Sequence, residues 1–197
     1  MKIGTDLDGI IVDLIPKFLD WYNSKTNSHF LFDDWYSYNF WEIIGGTKQQ
    51  AMNLIEEFYN SKMFDKLCLV NDAKESIEEL SKENELFLIT SRPISFKPKT
   101  NAFLNKYFLD IFSEIFYSDD FHKQLGISKA DICKKEKIEI FIEDNLDYAI
   151  SCSEKGIKTL LLNKPWNQNF GKDFINIFRA DNWNEILRKI KGYKKNE

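Results

Sequence analysis

Five short β-favouring runs separated by segments of helical periodicity constrain this chain more than any other feature. They are Lys2 to Asp6, Glu85 to Thr90, Ser113 to Tyr117, Ile138 to Ile142 and Ile157 to Leu162. Strands that alternate with helices pair in parallel through right-handed crossovers, because a strand returning in the same direction needs a long connection. Two intervening helices are readable. Ala73, Ile77 and Leu80 recur at helical spacing after the cap candidate Asp72, and Trp183, Ile186, Leu187 and Ile190 do so after Asn182. Both stripes are expected to face a core, which gives an α/β fold built on a parallel sheet.

The first connection breaks this rhythm. Roughly 80 residues separate Asp8 from the run at Glu85, far more than one crossover helix requires. The excess is rich in aromatics, among them Phe18, Trp21, Trp35, Phe40, Trp41 and Phe58, with helical pattern at Asp13 to Lys25 and at Thr47 to Ser61. It reads as a small helical cap, residues 15–68, inserted after the first strand of a core formed by residues 1–14 and 69–197. No Pro/Gly-rich linker sets the cap off as an independent unit.

Composition narrows the classes of function. Lys+Arg 27 against Asp+Glu 31 leaves a net charge of -4, so no bulk attraction to a nucleic-acid polymer or an anionic membrane is expected. Cys68, Cys133 and Cys152 are odd in number and form no C-x-x-C pair, which argues against a disulfide framework and a zinc site. Cys133 and Cys152 fall in expected helices as small core residues. His29 and His122 are too isolated to form a metal pair. No apolar run approaches the ~18 residues that span a bilayer, and no signal-peptide pattern opens the chain. A cytoplasmic location is the expectation.

In an open parallel sheet, ligands bind beyond the carboxyl ends of the strands. Those ends carry Asp6-Leu7-Asp8-Gly9, Thr90-Ser91-Arg92 and Glu143-Asp144-Asn145, while Lys129 opens a helix before the fourth strand. Side chains two apart on a strand share a face, so Asp6 and Asp8 can converge where a glycine permits a turn. A calcium loop is excluded, because Ile10 and Ile11 occupy its fifth and sixth positions and Lys17 its twelfth. Each element also has a structural reading: Thr90-Ser91 as a helix cap, Lys129 as a surface lysine, Glu143-Asp144 as acids at a helix N-terminus, and Asp13 as a helix cap. Taken together, acids, hydroxyls and one cation at a single rim suit phosphate bound with a metal ion.

In these motifs the chain resembles the phosphatases of the haloacid dehalogenase superfamily, over nearly its whole length. Asp6 to Asp13, Thr90-Ser91-Arg92-Pro93, Ser128-Lys129-Ala130-Asp131, Ile142-Glu143-Asp144-Asn145 and Asn163-Lys164-Pro165-Trp166-Asn167 resemble the branch of 5'-nucleotidases and 5'(3')-deoxyribonucleotidases. The resemblance implies a three-layer Rossmann-like parallel sheet flanked by helices, with a small helical cap after the first strand. It implies that Asp6 is a nucleophile forming an aspartyl-phosphate and that Asp8 is a general acid/base. Thr90, Ser91 and Lys129 become phosphate-binding groups, and Mg²⁺ is expected on the Asp6 carboxylate, the Asp8 backbone carbonyl and the Asp144 carboxylate. Members of this branch usually carry two aspartates and Arg-Pro at the fourth motif. Here Glu143-Asp144-Asn145-Leu146 stands instead, with Asp144 preferred as the metal ligand and Glu143 second.

The implied reaction is Mg²⁺-dependent hydrolysis of a small phosphomonoester, a nucleoside monophosphate above all, deoxyribonucleotides included. Cap aromatics supply the substrate clue, since Trp35 or Trp41 can stack on a base. Another phosphomonoester, such as a sugar phosphate or phosphoserine, is the nearest alternative. A catalytically silent phosphate-binding module on the same fold is the alternative from another class.

Overall fold

The computed structural model describes residues 1–118, 126–168 and 174–194. Six strands lie in one sheet: β1 (Lys2–Thr5), β2 (Glu85–Thr90), β3 (Phe112–Tyr117), β4 (Ile140–Glu143), β5 (Lys158–Leu162) and β6 (Ile177–Ala180). Every pairing is parallel, and the order is β3-β2-β1-β4-β5-β6. The chain thus builds outward from β1 to β3, returns, and builds the other way from β4. Connections leaving β1 and β4 diverge, which opens a crevice at their carboxyl ends.

Eight helices accompany the sheet among the described residues: α1 (Leu14–Thr26), α2 (Trp41–Ile44), α3 (Lys48–Tyr59), α4 (Ala73–Ser81), α5 (Lys97–Tyr107), α6 (Lys129–Lys135), α7 (Leu146–Glu154) and α8 (Trp183–Lys194). The period of two sorts side chains between layers. Leu86 and Leu88 pack in one cluster with Ile77 and Leu80 of α4, Leu104 of α5, and Trp183 and Ile186 of α8. Phe87 and Ile89 pack on the opposite face with Cys133 of α6 and Cys152 of α7. A sheet covered on both faces needs apolar residues at successive positions, which is why Ile140-Phe141-Ile142 reads as an unbroken run. Both cysteines are buried and free, as expected of core residues.

Several expectations need adjustment. The five runs correspond to β1 to β5 with ends shifted by up to two residues. β6 is a sixth strand beyond the five runs: it has four residues with Arg179 among them, and among the described residues it pairs with β5 alone. Asp13 and Asp72 precede helices, but neither side chain makes a capping hydrogen bond. Asp72 instead adopts a left-handed backbone conformation, φ 61°, and accepts from Asn184. Asn182 does cap, its side chain accepting from Glu185 N at 3.0 Å. His29 is exposed, and His122 lies outside the described residues.

The aromatic segment after β1 comprises α1, a 3-10 turn at Phe32–Asp34, α2, α3 and a second turn at Phe64–Lys66. Phe18 is its hub, with ring centroids 5.5–5.8 Å from those of Trp21, Tyr22, Trp35, Phe40 and Phe58. α3 opens with a capping box: Thr47 Oγ1 accepts from Gln50 N, and Gln50 Oε1 accepts from Thr47 N. These rings belong to the same buried cluster as Ile3, Leu86 and Ile140 of the sheet, so the segment shares the sheet's core.

Candidate active site

The β1 ladder runs one residue beyond the strand, with Asp6 N donating to Ile142 O at 2.9 Å. Asp6 therefore emerges beside the end of β4, where Glu143 and Asp144 emerge as well. All three acids are buried, and each offers a carboxylate oxygen within 4.8 Å of the others. Lys129 reaches them from the first turn of α6, whose start is capped by Ser128 Oγ accepting from Asp131 N at 3.0 Å. Its Nζ lies 2.9 Å from Asp6 Oδ1 and donates to Glu143 Oε2 at 2.8 Å. Lys129 is only 1% exposed, so it is a buried ion-pair partner and not a surface lysine.

One cation faces three buried carboxyl groups, too few to balance them all if each is ionised. Burial pushes Asp6 up to about 8, against the pull of Lys129 and with a push from Glu143. Burial, Glu143 and Asp6 hold Asp144 well above the usual carboxylate range. Burial opposes the charge on Lys129, yet Asp6 and Glu143 together hold it well above the ordinary lysine value. The folded protein therefore keeps protons on these acids at a pH where the unfolded chain has released them, so stability falls as pH rises. For Asp6 that window runs from the ordinary 3.8 to about 8. In chelator, urea denaturation is expected to give lower stability at pH 8 than at pH 5, and Asp144→Asn to flatten the slope. A wild-type stability that rises over this interval contradicts the charge reading.

The two acids of the fourth motif differ in their bonding. Glu143 Oε2 is taken by Lys129, and Oε1 accepts from Asp144 N at 2.9 Å and Asn145 N at 3.0 Å. Asp144 Oδ2 accepts from Trp166 Nε1 at 3.1 Å, while its buried Oδ1 has no hydrogen-bond partner among the described residues. Gly9, at φ +85°, lies against the same carboxylate; a Cβ there would fall 2.0 Å from Asp144 Oδ2. A partnerless carboxyl oxygen, a cluster of hard oxygen donors and more acids than cations fit a small divalent cation. Asn145 takes a separate task, its side chain accepting from Asp147 N and Tyr148 N to cap α7.

Asp8 lies at the rim of the same crevice in a bidentate pair with Arg92, at 2.7 Å from Nε and 2.5 Å from Nη2. Arg92 is buried, donates also to Thr100 Oγ1, and lies over the Phe64 ring at 5.0 Å. Thr90 Oγ1 accepts from Arg92 N, and Ser91 Oγ shares a 2.8 Å hydrogen bond with Ser118 at the end of β3. Asp6, Asp8, Thr90, Ser91, Lys129 and Asp144 all line one cavity. The cavity is also lined by the aromatic and aliphatic residues Phe18, Trp35, Tyr38, Phe40, Ile55 and Tyr59. Of the two candidate stacking tryptophans, Trp35 reaches this cavity, whereas Trp41 packs on Phe40 near Lys48.

Arg92 and Trp166 belong to the sequence motifs, which by themselves assign them no site role. Their partners lie 84 and 22 residues away, so no local spacing revealed them. Among the described residues, no helix is long and apolar enough to cross a membrane.

Comparison with known proteins gives a consistent picture. A nucleotidase of Clostridium acetobutylicum is 28% identical over 191 residues, covering 94% of this chain and 91% of the relative. A haloacid dehalogenase-like hydrolase of Streptococcus pneumoniae shares the fold with a TM-score of 0.67 at 17% identity, covering 96% of this chain and 97% of that one. YfnB of Bacillus subtilis, a HAD-hydrolase whose structure holds magnesium, does so with a TM-score of 0.63 at 16% identity, covering 96% and 98%. The family model described as "5' nucleotidase, deoxy (Pyrimidine), cytosolic type C protein" matches residues 1–194. A match from β1 through α8 takes in every strand that feeds the cavity, and the chain accordingly belongs to this nucleotidase family of haloacid dehalogenase-type phosphomonoester hydrolases.

Proposed function

We propose that this protein hydrolyses nucleoside monophosphates with Mg²⁺ through an aspartyl-phosphate on Asp6. The observation that carries the reading is the buried group of Asp6, Glu143 and Asp144 around Lys129, with Asp8 and two hydroxyl side chains on the same cavity. Residues 15–68 act as the cap and residues 1–14 and 69–197 as the core. The Asp6 and Asp144 carboxylates and the Asp8 backbone carbonyl would hold Mg²⁺, a reading supported by the grouping of Asp6 and Asp144 in one buried acidic cluster. When bound, the cation offsets the surplus carboxylate charge and draws electron density from a phosphate oxygen.

Asp6 attacks phosphorus, forming an acyl phosphate as the bond to the leaving alkoxide breaks. Asp8 gives a proton to that alkoxide and later takes one from the water that opens the acyl phosphate, which restores Asp6 and releases phosphate. Thr90 and Ser91 donate to phosphate oxygens. Lys129 stabilises the charge that develops as the phosphoryl group transfers. The aromatic wall bearing Trp35 and Tyr38 supports a flat, partly apolar leaving group such as a nucleoside.

A phosphomonoester panel assayed with Mg²⁺ tests this directly. Nucleoside monophosphates are expected to be cleaved with higher kcat/KM than sugar phosphates or phosphoserine. Cleavage of a sugar phosphate with every nucleotide refused would transfer the assignment to the alternative substrate class.

A further inference from the structure

Trp166 has no part in the reaction proposed above, yet it touches both the acidic group and the aromatic segment. It sits in the 3-10 turn Pro165–Asn167, which follows β5. Asn167 locks that turn: its Nδ2 donates to Asp144 O and to Leu162 O, each at 2.8 Å, and its Oδ1 accepts from Lys164 N at 3.2 Å. Arg179 of β6 donates to the Asn167 carbonyl as well. The Trp166 ring meets Phe32 edge to face, with centroids 5.8 Å apart. The indole is held from both sides, and its Nε1 donates to Asp144 Oδ2 at 3.1 Å.

We propose that Trp166 is a positioning residue for the cation site, its indole N–H occupying Asp144 Oδ2 so that Oδ1 serves a metal as a single-oxygen ligand. This rests on the reading of Asp144 as a metal ligand. The buried Oδ1 is the second observation behind it, because a buried polar atom without a partner among the described residues marks a place for a bound ion. Gly9 completes the arrangement. Its missing side chain leaves room for Oδ2, which a Cβ would approach to 2.0 Å.

A consequence for ion choice follows. Mg²⁺ prefers six oxygens at strict octahedral positions and accepts single-oxygen carboxylates, whereas Ca²⁺ tolerates more ligands and bidentate ones. A carboxylate with one oxygen tied to an N–H donor therefore favours the smaller ion. Removing the donor frees Oδ2, weakens the pre-set orientation and relaxes that preference.

The test is calorimetric titration of the whole protein with Mg²⁺ and with Ca²⁺, without substrate, for wild type, Trp166→Phe and Asp144→Asn. Phenylalanine keeps an aromatic ring against Phe32 and lacks the N–H. Mg²⁺ affinity is expected to fall about 10- to 100-fold in Trp166→Phe, with a smaller fall for Ca²⁺. Equal losses for the two ions, or an unchanged Mg²⁺ affinity, overturn the proposal. In the wild type, nitrogen-15 spectra of its five tryptophans are expected to show one indole N–H signal shifting with the calorimetric midpoint. No moving indole signal overturns it without any variant. If wild type takes up no Mg²⁺, or Asp144→Asn binds it as wild type does, the ligand reading fails first, a separate and visible result.

Discussion

Asp6→Asn is expected to lower kcat for phosphomonoester hydrolysis by about 10⁴-fold or more, the scale on which removal of a covalent nucleophile acts. The amide has nearly the shape of the carboxylate but cannot form the acyl phosphate. The fold is expected to survive the change. Asp6 is one of three buried acids served by one cation, Glu143 keeps its bond to Lys129, and the backbone bond from residue 6 to Ile142 is untouched. Burial already pushes the Asp6 carboxyl up to about 8, so a neutral group at this position costs the metal-free protein little at neutral pH. Rates measured with Mg²⁺, beside urea denaturation in chelator, separate chemistry from folding. Activity within tenfold of wild type would remove Asp6 as nucleophile.

Lys129→Met is expected to lower stability by about 3–5 kcal/mol, the cost of removing one partner from a buried ion pair. Lys129 contacts Asp6 at 2.9 Å and Glu143 at 2.8 Å, and all three residues are nearly inaccessible to water. Methionine fills a similar volume without charge, leaving two acids that must either keep a proton or stay ionised and unpaired. In a domain of this size the loss corresponds to a fall in Tm of roughly 6–20 °C. Adding Asp6→Asn to Lys129→Met should restore part of the stability, because the two sites share one interaction. Restored stability without restored turnover would show that the lysine also serves the reaction. A single variant within about 0.5 kcal/mol of wild type contradicts the ion-pair assignment.

The candidate site was legible to different depths in different places. Asp6, Asp8, Thr90, Ser91, Lys129 and Asp144 could be picked out because each sits at the end of an apolar strand or the start of a helix, and they do line one cavity. The fates of neighbouring residues were not legible. Asp13 and Asp72 occupy pre-helix positions that favour capping, but the chain enters each helix with a geometry that denies their side chains a capping bond. Trp35 and Trp41 looked equivalent as aromatics in a helical segment. Packing around Phe18 and Phe40 decides that Trp35 lines the cavity.

By itself the sequence determined the layers of this protein and the chemistry available at its rim. Alternation with period two, helical stripes and strand-end acids are local properties, written in residues that are neighbours along the chain. Tertiary structure alone decided the partnerships: Arg92 with Asp8, Lys129 shared between Asp6 and Glu143, and Trp166 with one oxygen of Asp144. A hydrogen bond or ion pair is made or lost within a few tenths of an ångström. That precision arises from strand order and from side chains packed across several elements at once, which no local pattern contains.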